Sequence, residues 1–567
     1  MSEVLFLILR RLRAPLITLI AAYGISVGGL ALIPGLDAAG NPGRMSIFHA
    51  FYFMSFTATT IGFGEIPHPF SDAQRLWVIF AIYLSVVAWA YALGSVVTLA
   101  NNATFRGALA RHLFVRRVRG IAEPFYIICG YGQSGARLAS SLDRLGNRLV
   151  IIEPSVQRIE RVSIQDYDTA PLTLTADARL ADVLQDAGIR SPHCQALVAL
   201  AGEDDVNQAI AIGARFLVPE IQIVAREKSH VATANLEAFG GVQVVNPFET
   251  FAVNLGVALR NPEVLQLEEW LTAELGEPCP APITLPRGPW ILVGYGRFGH
   301  AIAEVLEREG VAWKTLDAGI ERDADRDGLV RDHYSATILN DVGIAAADAL
   351  LAGTDVDAVN LWVTTLARRV KPDIFVVIRQ NHIQDRALVD AARANVTFVQ
   401  SDLMVHECLQ LLKTPTLGRF LLRLRDADPT VAATTIRRVR DESGAGSPGA
   451  WTFVCDTMQP GMFAAFFQNA AREFTIAHLL ADPTNPLDRM RAVALMVERG
   501  AAVTLLPPDA MALKPGDRVL FVGNAMTRRL QRRYLGEPGT VSWVLSGHEP
   551  PRSLIFRWLE KRLRDRG

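Results

Sequence analysis

Thr60, Ile61, Gly62, Phe63 and Gly64 form a short run whose peptide oxygens suit one kind of chemistry. A potassium ion that sheds its water needs oxygen ligands in place of the lost shell. Consecutive backbone carbonyls supply them if they all face one axis. Glycine at alternate positions permits the unusual φ/ψ values that such alignment demands. Thr60 can add its hydroxyl at the inner end. One chain carries one such run, so closed rings of ligands need four chains, a homotetramer.

A second chemistry is written twice further along. Gly130-Tyr131-Gly132-Gln133-Ser134-Gly135 follows an apolar run, Phe125 to Cys129, and opens a helical stretch; Glu153 comes 18 residues after the last glycine. Gly294-Tyr295-Gly296-Arg297-Phe298-Gly299 repeats the layout, and Asp317 again follows by 18. This is the dinucleotide fingerprint in its strand–turn–helix context. The glycines allow a tight turn, close phosphate approach and helix–strand contact, the helix N-terminus faces the phosphates, and the acid faces a ribose. Gln133 and Ser134 leave the phosphate approach open. Arg297 and Phe298 are bulkier, and Arg297 is either a phosphate partner or a solvated arginine. Glu153 would repel a 2′-phosphate, which favours NAD or an adenine nucleotide over NADP. Asp177 and Asp332 fall at the end of each third strand, where they either reach the same crevice or cap a helix. Arg226 and Arg379 close each fifth strand, placed for a phosphate or an inter-domain ion pair.

These residues need elements to hold them. Pro15 to Gly35 and Leu76 to Ala100 are uncharged and apolar, each about the 20 residues that cross a bilayer core. Arginines 10, 11 and 13 precede the first, and arginines 106, 111, 116, 117 and 119 follow the second. The positive-inside rule puts both chain ends in the cytoplasm of a multi-pass protein of the cell (inner) membrane. The apolar run Val4 to Leu9 comes before the first arginines, the wrong order for a cleavable signal peptide. Between the spans, Ser46 to Thr59 is long enough to cross only about two-thirds of the core as a helix. A half-spanning helix followed by irregular backbone is tolerated only where it lines a water-filled path. Neither span carries spaced arginines, so no voltage sensor is encoded. Gly94 is the glycine of the second span and a candidate bend.

With Thr57 and Glu65, the filter run resembles the T-x-x-T-x-G-[YF]-G-[DE] signature of potassium channels. Phe63 stands where tyrosine is commoner, and Glu65 where aspartate is. The fingerprints also belong to longer repeats. Asn207, Pro219 and Arg226 return as Asn360, Pro372 and Arg379 at an offset of 153, and Asp177 with Gly188 returns as Asp332 with Gly343 at 155. A pore followed by duplicated Rossmann units resembles the two-transmembrane bacterial potassium channels with tandem RCK domains. That resemblance implies a ligand-gated potassium channel, not an enzyme. It further implies a gating ring of eight Rossmann lobes in the tetramer.

The expected fold class is an α-helical two-span pore followed by tandem α/β Rossmann-like domains and a smaller α+β C-terminal lobe. The expected divisions are an N-terminus (1–14), the pore domain (15–100, with pore helix 46–59 and filter 60–64) and a linker (101–120). The first Rossmann domain (121–250), a crossover helix and connector (251–287), the second Rossmann domain (288–405) and the C-terminal lobe (406–567) follow.

Bulk composition sets limits. The net charge is −1, which gives no sign of nucleic-acid binding. Five scattered cysteines lack metal-site spacing and read as reduced core thiols. Calcium is a further candidate ligand: Glu203-Asp204-Asp205 and the run 323–328 are acidic, but the latter reaches Tyr334 where an EF-hand needs glutamate. Two other functions compete. A membrane-anchored NAD-dependent oxidoreductase would share the fingerprints but lacks an evident proton-transfer set. A regulatory subunit of a potassium uptake system would share the paired domains but not the filter.

Overall fold

The computed structural model describes residues 2–36, 41–66, 68–317, 329–330, 336–455, 473–536 and 543–544. The chain divides into two compact units, 1–121 and 122–567.

In the first unit, α1 (Ser2–Leu32) and α3 (Asp72–Asn101) lie against each other and hold a short apolar helix, α2 (Ile47–Ala58), between them in sequence. Two stretches, Leu12–Leu32 and Asp72–Asn101, are long and apolar enough to cross a membrane. A small antiparallel pair, β1 (Pro34–Leu36) and β2 (Pro42–Arg44), follows α1. Trp77 Nε1 donates to Ser26 O at 3.0 Å, and a Cβ on Gly29 would stand 2.1 Å from the Trp77 indole. Gly29 is therefore required for the two long helices to approach. The segment after α3 is helical: Asn102 leaves the helix at ψ 119°, its side chain accepts from Phe105 N, and α4 (Ala103–Arg119) begins.

The second unit opens with β3 (Phe125–Cys129), β4 (Arg148–Ile152), β5 (Leu172–Leu174), β6 (Cys194–Ala199), β7 (Gln222–Arg226) and β8 (Gln243–Val245). They form a parallel sheet in the order β5-β4-β3-β6-β7-β8. Its connecting helices are α5 (Gln133–Arg144), α6 (Val156–Ile164), α7 (Ala181–Asp186), α8 (Asp204–Leu217) and α9 (His230–Phe239). Strand β3 throughout and β6 from Ala196 onward are buried on both faces and read as apolar runs, as crossover helices on both sides require. Two helices, α10 (Pro247–Arg260) and α11 (Pro262–Thr272), lead to the second copy.

That copy repeats the order with β9 (Trp290–Val293), β10 (Trp313–Leu316), β11 (Leu329–Val330), β12 (Ala349–Ala352), β13 (Phe375–Gln380) and β14 (Val396–Val399). Its helices are α12 (Arg297–Arg308), α13 (Ala336–Val342), α14 (Asp357–Val370) and α15 (Arg386–Ala391). Then come α16 (Gln400–Lys413), α17 (Pro415–Arg425) and α18 (Pro429–Ser443), and an antiparallel sheet of β15 (Gly449–Val454), β16 (Ala492–Arg499), β17 (Ala502–Leu505) and β18 (Arg518–Gly523) in the order β15-β18-β16-β17.

The two Rossmann domains exchange helices. α10 follows the first sheet, yet its Phe248, Ala252, Leu255 and Leu259 belong to the core of the second. α16 follows the second sheet, and its Met404, Cys408 and Leu412 fill the core of the first. The expected divide at 250/251 thus falls inside α10, and that at 405/406 inside α16. α16 is a reciprocal crossover, which the expected boundary split between the second Rossmann domain and the C-terminal lobe.

Candidate functional site

Ser46 caps α2 by accepting from His49 N at 3.2 Å. The helix closes where Thr60 N donates to Thr57 O and Ile61 N to Phe56 O, at 3.0 and 2.9 Å. The chain then takes positive φ at alternate residues: Thr60 (64°), Gly62 (68°) and Gly64 (93°). Alternating signs of φ turn successive peptide planes the same way, the arrangement that lines up main-chain dipoles on one side. At the two glycines this has no steric cost. At the β-branched Thr60 it costs on the order of 1–3 kcal/mol, strain that persists only where surroundings impose it. Ile61 and Phe63 are 60% and 62% exposed in a single chain, so this run is an open surface. Phe63 meets Phe56 of α2 edge to face at 5.3 Å. Just beyond, Glu65 accepts from Phe70 N at 2.9 Å and takes both arms of Arg75, at 2.8 and 3.1 Å. This fork ties the run to the start of α3.

The two fingerprints share one geometry. Gly130 and Gly294 have φ of 101° and 97°. A Cβ on Gly130 would stand 2.8 Å from the Leu200 carbonyl, and on Gly294 3.0 Å from Thr354 N. A Cβ on Gly135 or Gly299 would stand about 2 Å from the carbonyl oxygen of the first glycine of its own turn. Those four positions serve the turn itself. Gly132 and Gly296 differ, because a Cβ there would meet nothing within 4 Å. The open space lies at the N-termini of α5 and α12, where each glycine caps the helix without a side-chain hydrogen bond. Uncapped N–H groups beside an unfilled approach fit a phosphate group.

The acids at the ends of β4 and β10 are bound to the turns. Glu153 is buried; its carboxylate accepts from Tyr131 N at 2.7 Å and Ser155 N at 3.0 Å, with Arg158 at 3.5 Å. Asp317 accepts from Tyr295 N in the same way. Each acid braces its glycine turn. Gln133 and Arg297 are exposed at the two helix starts, while Ser134 is buried.

Phe298 corrects the expectation. It is 1% exposed, lies against Phe398 and touches Phe251 at 5.6 Å. It belongs to the core under α10, so its ring does not face a ligand. Asp177 is held by its neighbour: Arg179 forks onto it at 3.0 and 2.6 Å, and that hydrogen bonding keeps the carboxyl below its usual range. Asp332, and the acidic run 323–328, lie outside the described residues.

Arg226 and Arg379 are both shifted down by burial. Arg226 donates to Ala201 O, and Arg379 lies over Phe248 and Phe298 at 5.2 and 5.8 Å. They brace the strand ends. Asp204, from the acidic run considered for calcium, and Asp357, which the sequence did not single out, have the same role. Asp204 accepts from Lys228 N and Ser229 N, and Asp357 accepts from Asn381 N and His382 N. Their spacing of 153, the offset of the repeat, was the available signal. Asp357, His382 and Asp385 lie close enough to share a metal ion, but both Asp357 oxygens already accept backbone N–H groups.

The helix exchange builds a cleft of about 540 Å³ over the second glycine turn. Gly296, Arg297 and His300 form one wall; Lys228 and His230 from the first domain and Glu249 from α10 form the other. Charged side chains from both domains therefore face one ligand-sized space beside an uncapped helix start.

Comparison with known proteins agrees with this division. Residues 17–102 match the ion channel family, and residues 126–247 and 290–400 each match the TrkA-N domain. The chain thus joins a segment that matches the ion channel family to two that match the TrkA-N domain. Its relatives include potassium channel protein 1 of Methanocaldococcus jannaschii, 26% identical over 40% of this chain and 66% of that one. Another is the voltage-gated potassium channel Kch of Escherichia coli, 24% identical over 36% of this chain and 46% of that one. The chain thus spans two-thirds or less of the length of these relatives. Solved structures that match include the GsuK channel, with TM-score 0.48 and 16% identity over 94% of this chain and 99% of that one. The GsuK channel bound to NAD gives TM-score 0.46 and 17% identity over the same shares.

Proposed function

We propose that four copies of this chain form a potassium-selective channel in the cell membrane, with both termini cytoplasmic. An adenine nucleotide or NAD, bound at the glycine turns, sets its gating. The observation that carries the pore is the alternation of positive φ through Thr60, Gly62 and Gly64 at the end of a half-length helix. In a four-fold arrangement the carbonyls of Thr60 to Gly64, with the Thr60 hydroxyl, would ring a dehydrated cation.

What supports the nucleotide is the unfilled approach at Gly132 and Gly296 beside uncapped helix starts. At the second turn, Arg297, Lys228 and His230 would meet the phosphates, and Asp317, which braces the turn, would face a ribose. Because that cleft has walls from both domains, a ligand there favours one relative placement of the domains over another. It can shift gating only by its difference in affinity for the two. The helical α4 after α3 is a stiffer link than a coil would be.

Reconstituted protein should pass potassium at least tenfold better than sodium, respond to ADP or NAD, and run as a tetramer. Equal sodium and potassium currents, or another subunit number, would refute the pore assignment. Unchanged currents in saturating nucleotide would refute the gating assignment alone.

A further inference from the structure

A cleft of about 900 Å³ opens between the first Rossmann domain and the C-terminal lobe, and no fingerprint residue lines it. Its walls are Leu145 at the C-terminal end of α5, the α16–α17 turn from Lys413, strand β15, and the helix that carries Arg528 and Arg532. Gly132 caps the other end of α5, roughly 18 Å away for a helix of that length. The cleft is thus separate from the first glycine turn.

Its lining is one-sided in charge. Lys413, Arg518, Arg528 and Arg532 contribute four cations, and no described carboxylate lines the cleft. Among the described residues Lys413 has only neutral partners: Nζ donates to Tyr126 OH at 3.0 Å and to Asn147 Oδ1, and it sits 4.5 Å from the Tyr126 ring centroid. The three arginines form no ion pair among the described residues. Elsewhere in this lobe arginines are matched with acids: Arg419 with Glu498, Arg438 and Arg489 with Asp509, Arg499 with Asp517. The main chain adds donors. Cys455 N donates to Asp517 O, which sets the phase of the β15–β18 ladder. Partners alternate along an antiparallel pair, so the N–H groups of Ala450 and Thr452 point to the outer side of β15, an edge strand beside the cleft.

Like charges gathered around a partly enclosed space repel one another and raise the local potential for an anion. Arginine forks and main-chain N–H groups are the donors that recognise phosphate oxygens. We propose that this cleft is a second regulatory site, built for a soluble phosphate-bearing small molecule and separate from the glycine turns.

The test uses full-length protein in phosphatidylcholine nanodiscs, titrated with inorganic triphosphate by calorimetry. The background carries Gly132→Val and Gly296→Val so that the fingerprints do not contribute. Saturable binding is expected, weakening as salt rises. Arg528→Gln with Arg532→Gln should weaken it by about tenfold or more. Thr452→Glu, which places a carboxylate on a different wall, should do the same without moving the ligand-free melting temperature. The proposal is overturned if triphosphate fails to bind in that background, or if both sets of variants bind like the parent. It is also overturned if phosphatidylglycerol nanodiscs abolish triphosphate binding, since a lipid headgroup would then be the occupant.

Discussion

Phe298 stacks on Phe398, with ring centroids 4.5 Å apart and planes 13° from parallel. One ring starts the fingerprint helix of the second copy and the other lies on β14, so a position of the nucleotide signature is spent on packing. Phe298→Ala should open a cavity and cost about 3–5 kcal/mol. Phe298→Leu should cost less than half of that. Thermal unfolding of the full chain checks the order, and equal midpoints for all three proteins would contradict the packing role.

The glycines of the first turn should separate folding from binding. Gly132→Ala adds a methyl to open space at φ −79°, so the melting temperature without ligand should stay within about a degree of wild type. The methyl fills the phosphate approach, so the stabilisation that ADP confers, about 2.7 kcal/mol at a hundred times Kd, should shrink. Gly135→Ala forces a methyl to within 2.1 Å of Gly130 O and should destabilise the protein with or without ADP. A Gly132→Ala protein with undiminished ADP stabilisation would place the nucleotide elsewhere. Because Gly296 keeps its own site, the comparison is best made in a Gly296→Val background.

Glu65 and Arg75 should matter more for conduction than for folding. The pair is partly exposed, and surface ion pairs contribute little to stability. Yet the Glu65 carboxylate joins the backbone after the filter to the first turn of α3. Glu65→Ala should leave expression and assembly intact while shortening single-channel open bursts severalfold. Bursts of unchanged length would show that the fork does not steady the filter.

Glu227 predicts a pH dependence. Burial, followed by the negative charge of Asp204, pushes its carboxyl up to about 8 from an ordinary 4.5. Between those values the folded chain holds a proton that the unfolded chain has released. Its contribution to stability therefore falls as pH rises through that window. Glu227→Gln should match wild type near pH 5 and exceed it near pH 8.5 by on the order of 2 kcal/mol. The substitution has an internal precedent: Gln380 occupies the matching position of the second copy and donates to His382 O at 2.9 Å. Parallel melting curves of the two proteins across pH 5–8.5 would contradict the shift.

Much of this molecule could be read residue by residue. The Thr60–Gly64 run, the half-length helix before it and the apolar helices around it are local features, fixed by apolar length and by glycine at alternate places. Both Rossmann sheets followed from the same sources: apolar strands, glycine turns and an offset that recurs through Asn207 and Asn360. The structure gives these two asparagines matching roles, each bonding a loop carbonyl and a carbonyl at the end of the fifth strand, Arg226 O or Arg379 O.

Other features depend on partners far away along the chain. Nothing near Phe298 shows that Phe398 and α10 will enclose it. Nothing near Asp204 shows that its carboxylate will meet the N–H groups of Lys228 and Ser229, and nothing near Met404 shows that α16 returns to the first sheet. An apolar helix face states that it must be covered, but not by what, because several faces of similar width compete for it. Which pairing lies lowest in energy is settled by shape and volume when all the elements meet. The local chemistry was therefore legible in the order of residues, while the clefts that the exchanged helices create came only from the folded chain.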